Sequence, residues 1–394
     1  MKTRFLLLFT KHTFTLKSIF ILLILITLGV SLQQYFLPER MYENIMHPHY
    51  NNFLIFKYSF LHLINNLNLY EFHPAEHGDL FKYSPTFAFA MGLFYSLPDW
   101  MGIILWNLLN TFCLFIGIKM LPRMDERSKV FLLLFVLFEL IGNLQNEQSN
   151  ALITGFILLT FVFFERKNVM LAALFIMLAF YIKIFGIVAA ALFLLYPQKG
   201  KFLLYLGLWM VILGALPLLI VSPAELITQY GNWVDLLKTD HGLSYGFSVM
   251  GVLHKWFELN ISKWLLTIIG VALFFIGYIR RDLFKDLVYR YLFLSSILIW
   301  IIIFNHKAES PTYIIAMTGI GIWFFSQKST VSNTVLLLFA FVFVSFTLTD
   351  LFPREMRTIL YEYYVKTIPA ILIWAMIIYQ MVTGKYQQKI EPGK

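Results

Sequence analysis

Residues Ser18–Phe36 read SIFILLILITLGVSLQQYF and carry no charged side chain. A bilayer core of about 30 Å asks for ~20 consecutive apolar residues in a helix, so this run is long enough to cross. A secretory signal would have a shorter apolar core and a small-residue cleavage site, which the end from Ser31 to Phe36 does not offer. Upstream lie Lys2, Arg4, Lys11 and Lys17 with no acidic residue. Positive charge is retained in the cytoplasm, so this is an uncleaved first helix with a cytoplasmic N-terminus. The polar stretch that follows, from Leu37, is then expected outside.

The rest of the chain repeats the apolar pattern. Hydrophobic residues make up 59% of its 394 positions and charged residues 13%, against ~25% charged in a soluble domain. Further apolar runs occupy 84–97, 100–118, 130–144, 151–164, 169–195, 202–221, 264–279, 287–304, 311–325, 331–348 and 368–382. The expected fold class is all-α, a polytopic membrane helix bundle of about a dozen spans. It forms one integral membrane domain over 1–394: first span 18–36, first outer loop 37–83, transmembrane core 84–221, second outer loop 222–263, C-terminal spans 264–383 and cytoplasmic tail 384–394. The net charge of +9 sits in membrane-flanking loops and implies no nucleic-acid partner. The single cysteine, Cys113, excludes an intrachain disulfide and reads as a small core residue.

Basic loops at 119–129, 166–167, 199–201 and 280–285 belong in the cytoplasm by the positive-inside rule. That requires the run 84–97 to dip in without crossing, and the run 169–195 to break near Lys183-Ile-Phe-Gly186. The alternative is a true short span followed by one long helix, with two basic loops outside. Both arrangements gather 37–83, 222–263, 305–310 and 349–366 on the outer face.

Within the first outer loop, residues 52–69 have helical periodicity. Phe53, Phe56, Phe60, Leu63, Ile64 and Leu67 form one stripe, and Asn52, Ser59, His62 and Asn66 another. A helix along the membrane surface, apolar side down, is expected, its polar face lining a site above the bilayer. Two features inside the apolar regions carry more information. Gln145-Asn-Glu-Gln-Ser-Asn150 is a polar cluster between two spans, and Lys183 interrupts an otherwise apolar run. A lysine at membrane depth costs ~2.5–3.5 kcal/mol on insertion scales and therefore faces a cavity or a partner. A phosphate is one such partner; a carboxylate such as Glu139 is another. The second outer loop adds Asp235, Asp240, His241, Ser248, His254 and Lys255 among aromatics. No spacing of histidines and acids suggests a metal cage, and no cofactor is implied.

The order of these elements resembles glycosyltransferase family 87 of the GT-C class, the polyprenol-phosphate-mannose-dependent type. Asn52-Phe-Leu-Ile-Phe-Lys57 followed by Leu69-Tyr70 is similar to the family's first outer loop, and Lys82-Tyr-Ser-Pro-Thr-Phe87 to its next helix opening. Glu147-Gln-Ser-Asn150 resembles a Gly-Gln-x-Asn element. Ala179-Phe-Tyr-Ile-Lys183 resembles a helix ending in lysine, and His306-Lys-Ala-Glu-Ser-Pro311 a late Ser-Pro opening. The resemblance implies an inverting membrane glycosyltransferase. It would move a mannose-like hexose from a polyprenyl-phosphate donor to a lipid or glycan acceptor on the outer face of the plasma membrane. Donor phosphate and sugar would be met by Lys183, Gln148, Asn150, Lys82, His306, Lys307 and His254, and a loop carboxylate would act as general base.

The family's acidic residue falls at Asn52, whose amide cannot serve as a base. Three readings follow: Glu76 or Asp79 in His73-Pro-Ala-Glu-His-Gly-Asp79 supplies the carboxylate, the register is shifted, or this member binds a lipid-linked sugar without transferring it. A multi-pass transporter or flippase is the competing class, since it too would carry a buried lysine and a broken helix.

Overall fold

The computed structural model describes residues 15–42, 45–240 and 244–386. Lys2, Arg4, Lys11, His241 and the tail from residue 387 lie outside these. The described chain is helical apart from one two-stranded hairpin, Arg40–Tyr42 antiparallel to Ile45–His47, with Arg40 opposite His47.

Four helices are long and apolar enough to cross a membrane: Leu16–Phe36, Asp99–Lys119, Lys199–Leu219 and Val365–Thr383. A fifth candidate is the pair Glu126–Phe135 and Leu137–Gln145, bent by 46°. Shorter apolar helices fill the remaining runs, among them Asn150–Glu165, Leu287–Ile303 and Ser310–Phe325. These three form the centre of the bundle. Leu292, Ile297, Leu298, Ile314, Ile315 and Ile320 are fully buried there. The periphery is the reverse: Leu25, Leu204, Val211, Ile268 and Val335 are 59–70% exposed. Helices apolar all round that still show this much hydrocarbon need lipid as their solvent, which makes the chain an integral membrane protein.

Two glycines permit the closest helix crossing. A Cβ on Gly155 would lie 2.5 Å from the carbonyl of Cys113, and one on Gly117 2.9 Å from Leu158 Cβ. Small residues let helix backbones approach in a bilayer, where packing rather than hydrophobicity drives association. At the end of this bundle that carries the basic loops, Arg290 forks onto Glu165 (Nε–Oε1 2.5 Å) and ties Asn150–Glu165 to Leu287–Ile303.

The run 169–195 is broken. An α-helix over Val169–Ile182 ends at Lys183, which is extended (φ −136°, ψ 125°), and a 3-10 helix continues over Ile184–Leu195. Gly186 then folds against the end of the helix the chain has just left: a Cβ there would sit 2.6 Å from the Ala179 carbonyl carbon. The run 84–97 is also interrupted, as Pro85–Ala90 and Gly92–Tyr95. The apolar helix Pro85–Tyr95 rises only about 16 Å, roughly half a hydrocarbon core.

The first outer loop differs from its expectation. Its helix runs over Asn51–Ile64, but most of the apolar stripe packs on protein: Phe53, Phe56 and Leu63 are buried, and only Ile64 and Leu67 stay exposed. Phe56 meets Tyr83, Phe87 and Trp106 edge-on at centroid distances of 4.9, 5.3 and 5.7 Å. Phe53 packs over Gly102 and Phe60 over Gly92, each of which has no side chain to obstruct a ring. Lys57 fixes the helix by binding Asp99 Oδ1 at 2.7 Å and the Leu97 carbonyl at 2.8 Å. The expected polar face is largely closed as well, since Ser59 and His62 are buried. The periodicity was sufficient to specify a helix. It did not specify that the loop from Asn65 to Ser84 would cover it.

Candidate functional site

Two separated sequence elements, the turn at Gln148 and Asn150 and Tyr83, meet Lys183 directly, and Pro311 and Tyr70 hold them from behind. Lys183 Nζ donates to Asn150 Oδ1 at 2.9 Å and to Gln148 Oε1 at 3.2 Å. The ammonium also lies 5.7 Å from the centre of the Tyr83 ring. Asn150 is oriented by its other end, whose Nδ2 donates to the Pro311 carbonyl at 3.2 Å. Tyr83 is held by the Tyr70 hydroxyl on its carbonyl at 3.0 Å, and the next residue, Ser84, both caps Pro85–Ala90 and donates to the Tyr181 carbonyl. The extended backbone at Lys183 thus turns the side chain out of the apolar run toward the start of helix Asn150–Glu165. No carboxylate pairs with Lys183 among the described residues. Glu309, exposed in the turn before Pro311, is the acid whose field reaches both Lys183 and Tyr83.

Glu139, the alternative partner weighed for Lys183, is taken elsewhere. It forms a buried ion pair with Lys366 at 3.0 Å, and Lys366 Nζ also donates to Ser310 Oγ at 2.9 Å. This second lysine braces the turn that supplies Pro311 to Asn150.

The remaining expected residues divide into three places. Asp79 and Lys82 are exposed beside Tyr83, 3.5 Å apart, and the Asp79 charge is felt at the Tyr83 phenol. Glu76 lies instead on the other side of its loop, with Oε2 2.5 Å from His62 Nε2. His254 stacks on Tyr245 at 4.4 Å, and Lys263 sits over the same ring at 4.9 Å. That group is fastened to the late turn through Ser244 Oγ on the His306 carbonyl (2.9 Å) and the Phe247 amide on the Ala308 carbonyl (2.8 Å). His306 and Lys307 therefore belong with His254 rather than in direct contact with Lys183.

Asn52 has a structural task. Its Nδ2 donates to the Asn146 carbonyl at 2.9 Å. A carboxylate at this position would face a carbonyl oxygen, so an amide is what the contact requires.

Glu147 is the residue that sequence reasoning passed over. It is fully buried in the turn between Leu137–Gln145 and Asn150–Glu165, with a left-handed φ of 45°. Trp106 Nε1 fixes its carbonyl at 2.7 Å, yet neither carboxylate oxygen has a hydrogen-bond partner among the described residues. Burial holds this carboxyl well above the usual range, with Arg40 opposing. The available signal was the match of Glu147 to a glycine in the Gly-Gln-x-Asn pattern, because left-handed backbone favours glycine.

The loop also brings together groups whose irregular sequence spacing gave no hint of it. One ligating atom each from His62, His73 and Glu76 lie within 4.8 Å of one another. The His62 and His73 rings stack at 3.8 Å, and His77 lies 6.1 and 6.0 Å from them. Burial lowers the pKa of His62, against the opposing Glu76 carboxylate, and pushes that of His77 down to about 4. Elsewhere, a cavity of about 610 Å³ between Arg127 and Lys328 opens at the far end of the helices from Lys183.

The family model for glycosyltransferase family 87 matches residues 81–303, more than half of the chain. No curated protein matches the chain. Among solved structures, the chain is similar to ArnT from Cupriavidus metallidurans, solved bound to undecaprenyl phosphate. The identity is 14% over 93% of this chain and 77% of that one, with a TM-score of 0.40.

Proposed function

The chain belongs to glycosyltransferase family 87, and from that premise we propose that it transfers a mannose-like hexose from a polyprenyl-phosphate donor. The acceptor is a lipid or glycan hydroxyl at the outer face of the plasma membrane, and both termini are cytoplasmic. The observation that carries this reading is Lys183, a cation held by two amide oxygens and no carboxylate, at the N-terminus of helix Asn150–Glu165. Helix N-termini favour anions, and a lysine beside one adds a full charge. A departing polyprenyl phosphate gathers negative charge as its bond to the anomeric carbon breaks, so stabilisation here acts on the transition state.

The acceptor oxygen forms the new bond to that carbon from the opposite side, inverting it, and its proton passes to a carboxylate. Asp79 is the base we assign. It is exposed beside Tyr83 and so is open to an acceptor, whereas Glu76 is occupied by His62. Lys82, next to Asp79, and the group His254, His306 and Lys307 would meet the sugar or the acceptor's polar part. The broken runs 84–97 and 169–195 support the topology that keeps all the basic loops in the cytoplasm.

The test is transfer of radiolabelled sugar from synthetic polyprenyl-phosphate-mannose by purified protein in native lipid extract. Transfer that needs the extract, and that falls by about 10²–10⁴-fold in Asp79→Asn, the range for loss of a general base, is the expected result. Glu76→Gln should retain most of it. Tight donor binding without any transfer would make this member a binding subunit or flippase. Neither binding nor transfer would remove the donor assignment.

A further inference from the structure

We propose that His62, His73 and Glu76 form a binding site for a zinc-type divalent cation, which staples the first outer loop onto the Asn51–Ile64 helix. The three ligating atoms already lie within 4.8 Å of one another, and the carboxylate is in contact with His62 Nε2. Two imidazoles and one carboxylate are a donor set that zinc takes at ~2.0–2.2 Å, with the fourth position left to water.

The bonds seen within the protein do not account for the whole cluster. The His62–Glu76 contact satisfies one ring nitrogen. His73 contributes a stack on His62 and an approach of 3.4 Å to the Asn68 carbonyl. His77 Nδ1, buried beside both rings, has no hydrogen-bond partner among the described residues. A water on the ion would donate to it. The residues that would be joined come from two places, one on the helix and two in the loop. An ion here therefore ties the loop segment from His73 to Glu76 onto the helix at His62. This site stands on its own geometry and does not depend on the sugar-transfer reading.

The test uses the full chain without a histidine tag, loaded with zinc chloride, desalted, and assayed for metal by mass spectrometry. About one zinc per chain is expected in the wild type and in His49→Ala, an outer-loop control. His73→Ala and Glu76→Gln should each lose most of it. Because a variant could lose metal through misfolding, cobalt loading of the wild type gives a second measurement. Visible absorption bands of a four-coordinate cobalt site are expected, and zinc should displace them. A wild type that retains no zinc and gives no cobalt spectrum would overturn the proposal. Zinc retained undiminished in His73→Ala and Glu76→Gln would overturn it equally.

Discussion

Two lysines of the molecule, Lys366 and Lys183, sit among the helices and are treated differently. Lys366 is matched: Glu139 pairs with it, Ser310 accepts its third bond, and both side chains are about 5% exposed or less. Among the described residues Lys183 has neutral acceptors, Gln148 and Asn150, and it stays partly exposed. A matched ion pair in low dielectric has no charge left for a ligand, and breaking it leaves an uncompensated ion. A lysine bound by amides is positioned while its positive charge remains available. The first arrangement serves the fold; the second leaves a charge that the proposed donor phosphate could meet. The two are joined through one turn, because Lys366 braces Ser310 while Asn150 is oriented by Pro311.

Making Lys366 resemble Lys183 should have the largest effect. Glu139→Gln strands the buried ammonium and is expected to cost about 3–5 kcal/mol, seen as a lower unfolding midpoint in detergent. Combining it with Lys366→Met should recover most of that loss. Unchanged stability in Glu139→Gln would mean that the pair is not structural. The reverse exchange comes next. Asn150→Asp places a carboxylate against Lys183 and should weaken binding of a polyprenyl phosphate by about 10–100-fold, the value of one charge-assisted contact. The Asn150 Nδ2 bond to the Pro311 carbonyl is lost as well, at about 1–3 kcal/mol, so affinity is compared on protein shown to be folded. Retained affinity there would show that Lys183 does not meet the phosphate.

Gly186→Ala acts through the backbone instead. The added carbon would meet Ala179 at 2.6 Å, and overpacking of this kind costs about 1–3 kcal/mol. Lys183 should be displaced with the turn, so affinity falls together with stability. A fully stable variant with normal affinity would separate the helix break from the site.

Much of this was legible in the sequence, for physical reasons. A lysine in an apolar run can be tolerated only where it finds a partner, so Lys183 pointed to polar neighbours, and Gly186 marked the break beside it. Gln148 and Asn150 were found because a polar hexapeptide between spans has no lipid-facing explanation. What periodicity does not encode is which protein surface a helix will meet. Asn51–Ile64 therefore read as interfacial, although its stripe packs on Phe87 and Trp106. Long-range pairing was equally hidden. Glu139 and Lys366 lie 227 positions apart, and nothing local assigns one to the other. Glu147 escaped for a different reason. A lone acid among polar neighbours looks solvated until the fold buries it.

The most direct test is the affinity of purified protein for a short-chain polyprenyl monophosphate, compared between wild type and Lys183→Met, with unfolding temperature recorded for both. Loss of affinity by about 10–100-fold at near-unchanged stability is the result predicted for a lysine held free for an anion. Equal affinity in the two proteins would contradict that assignment.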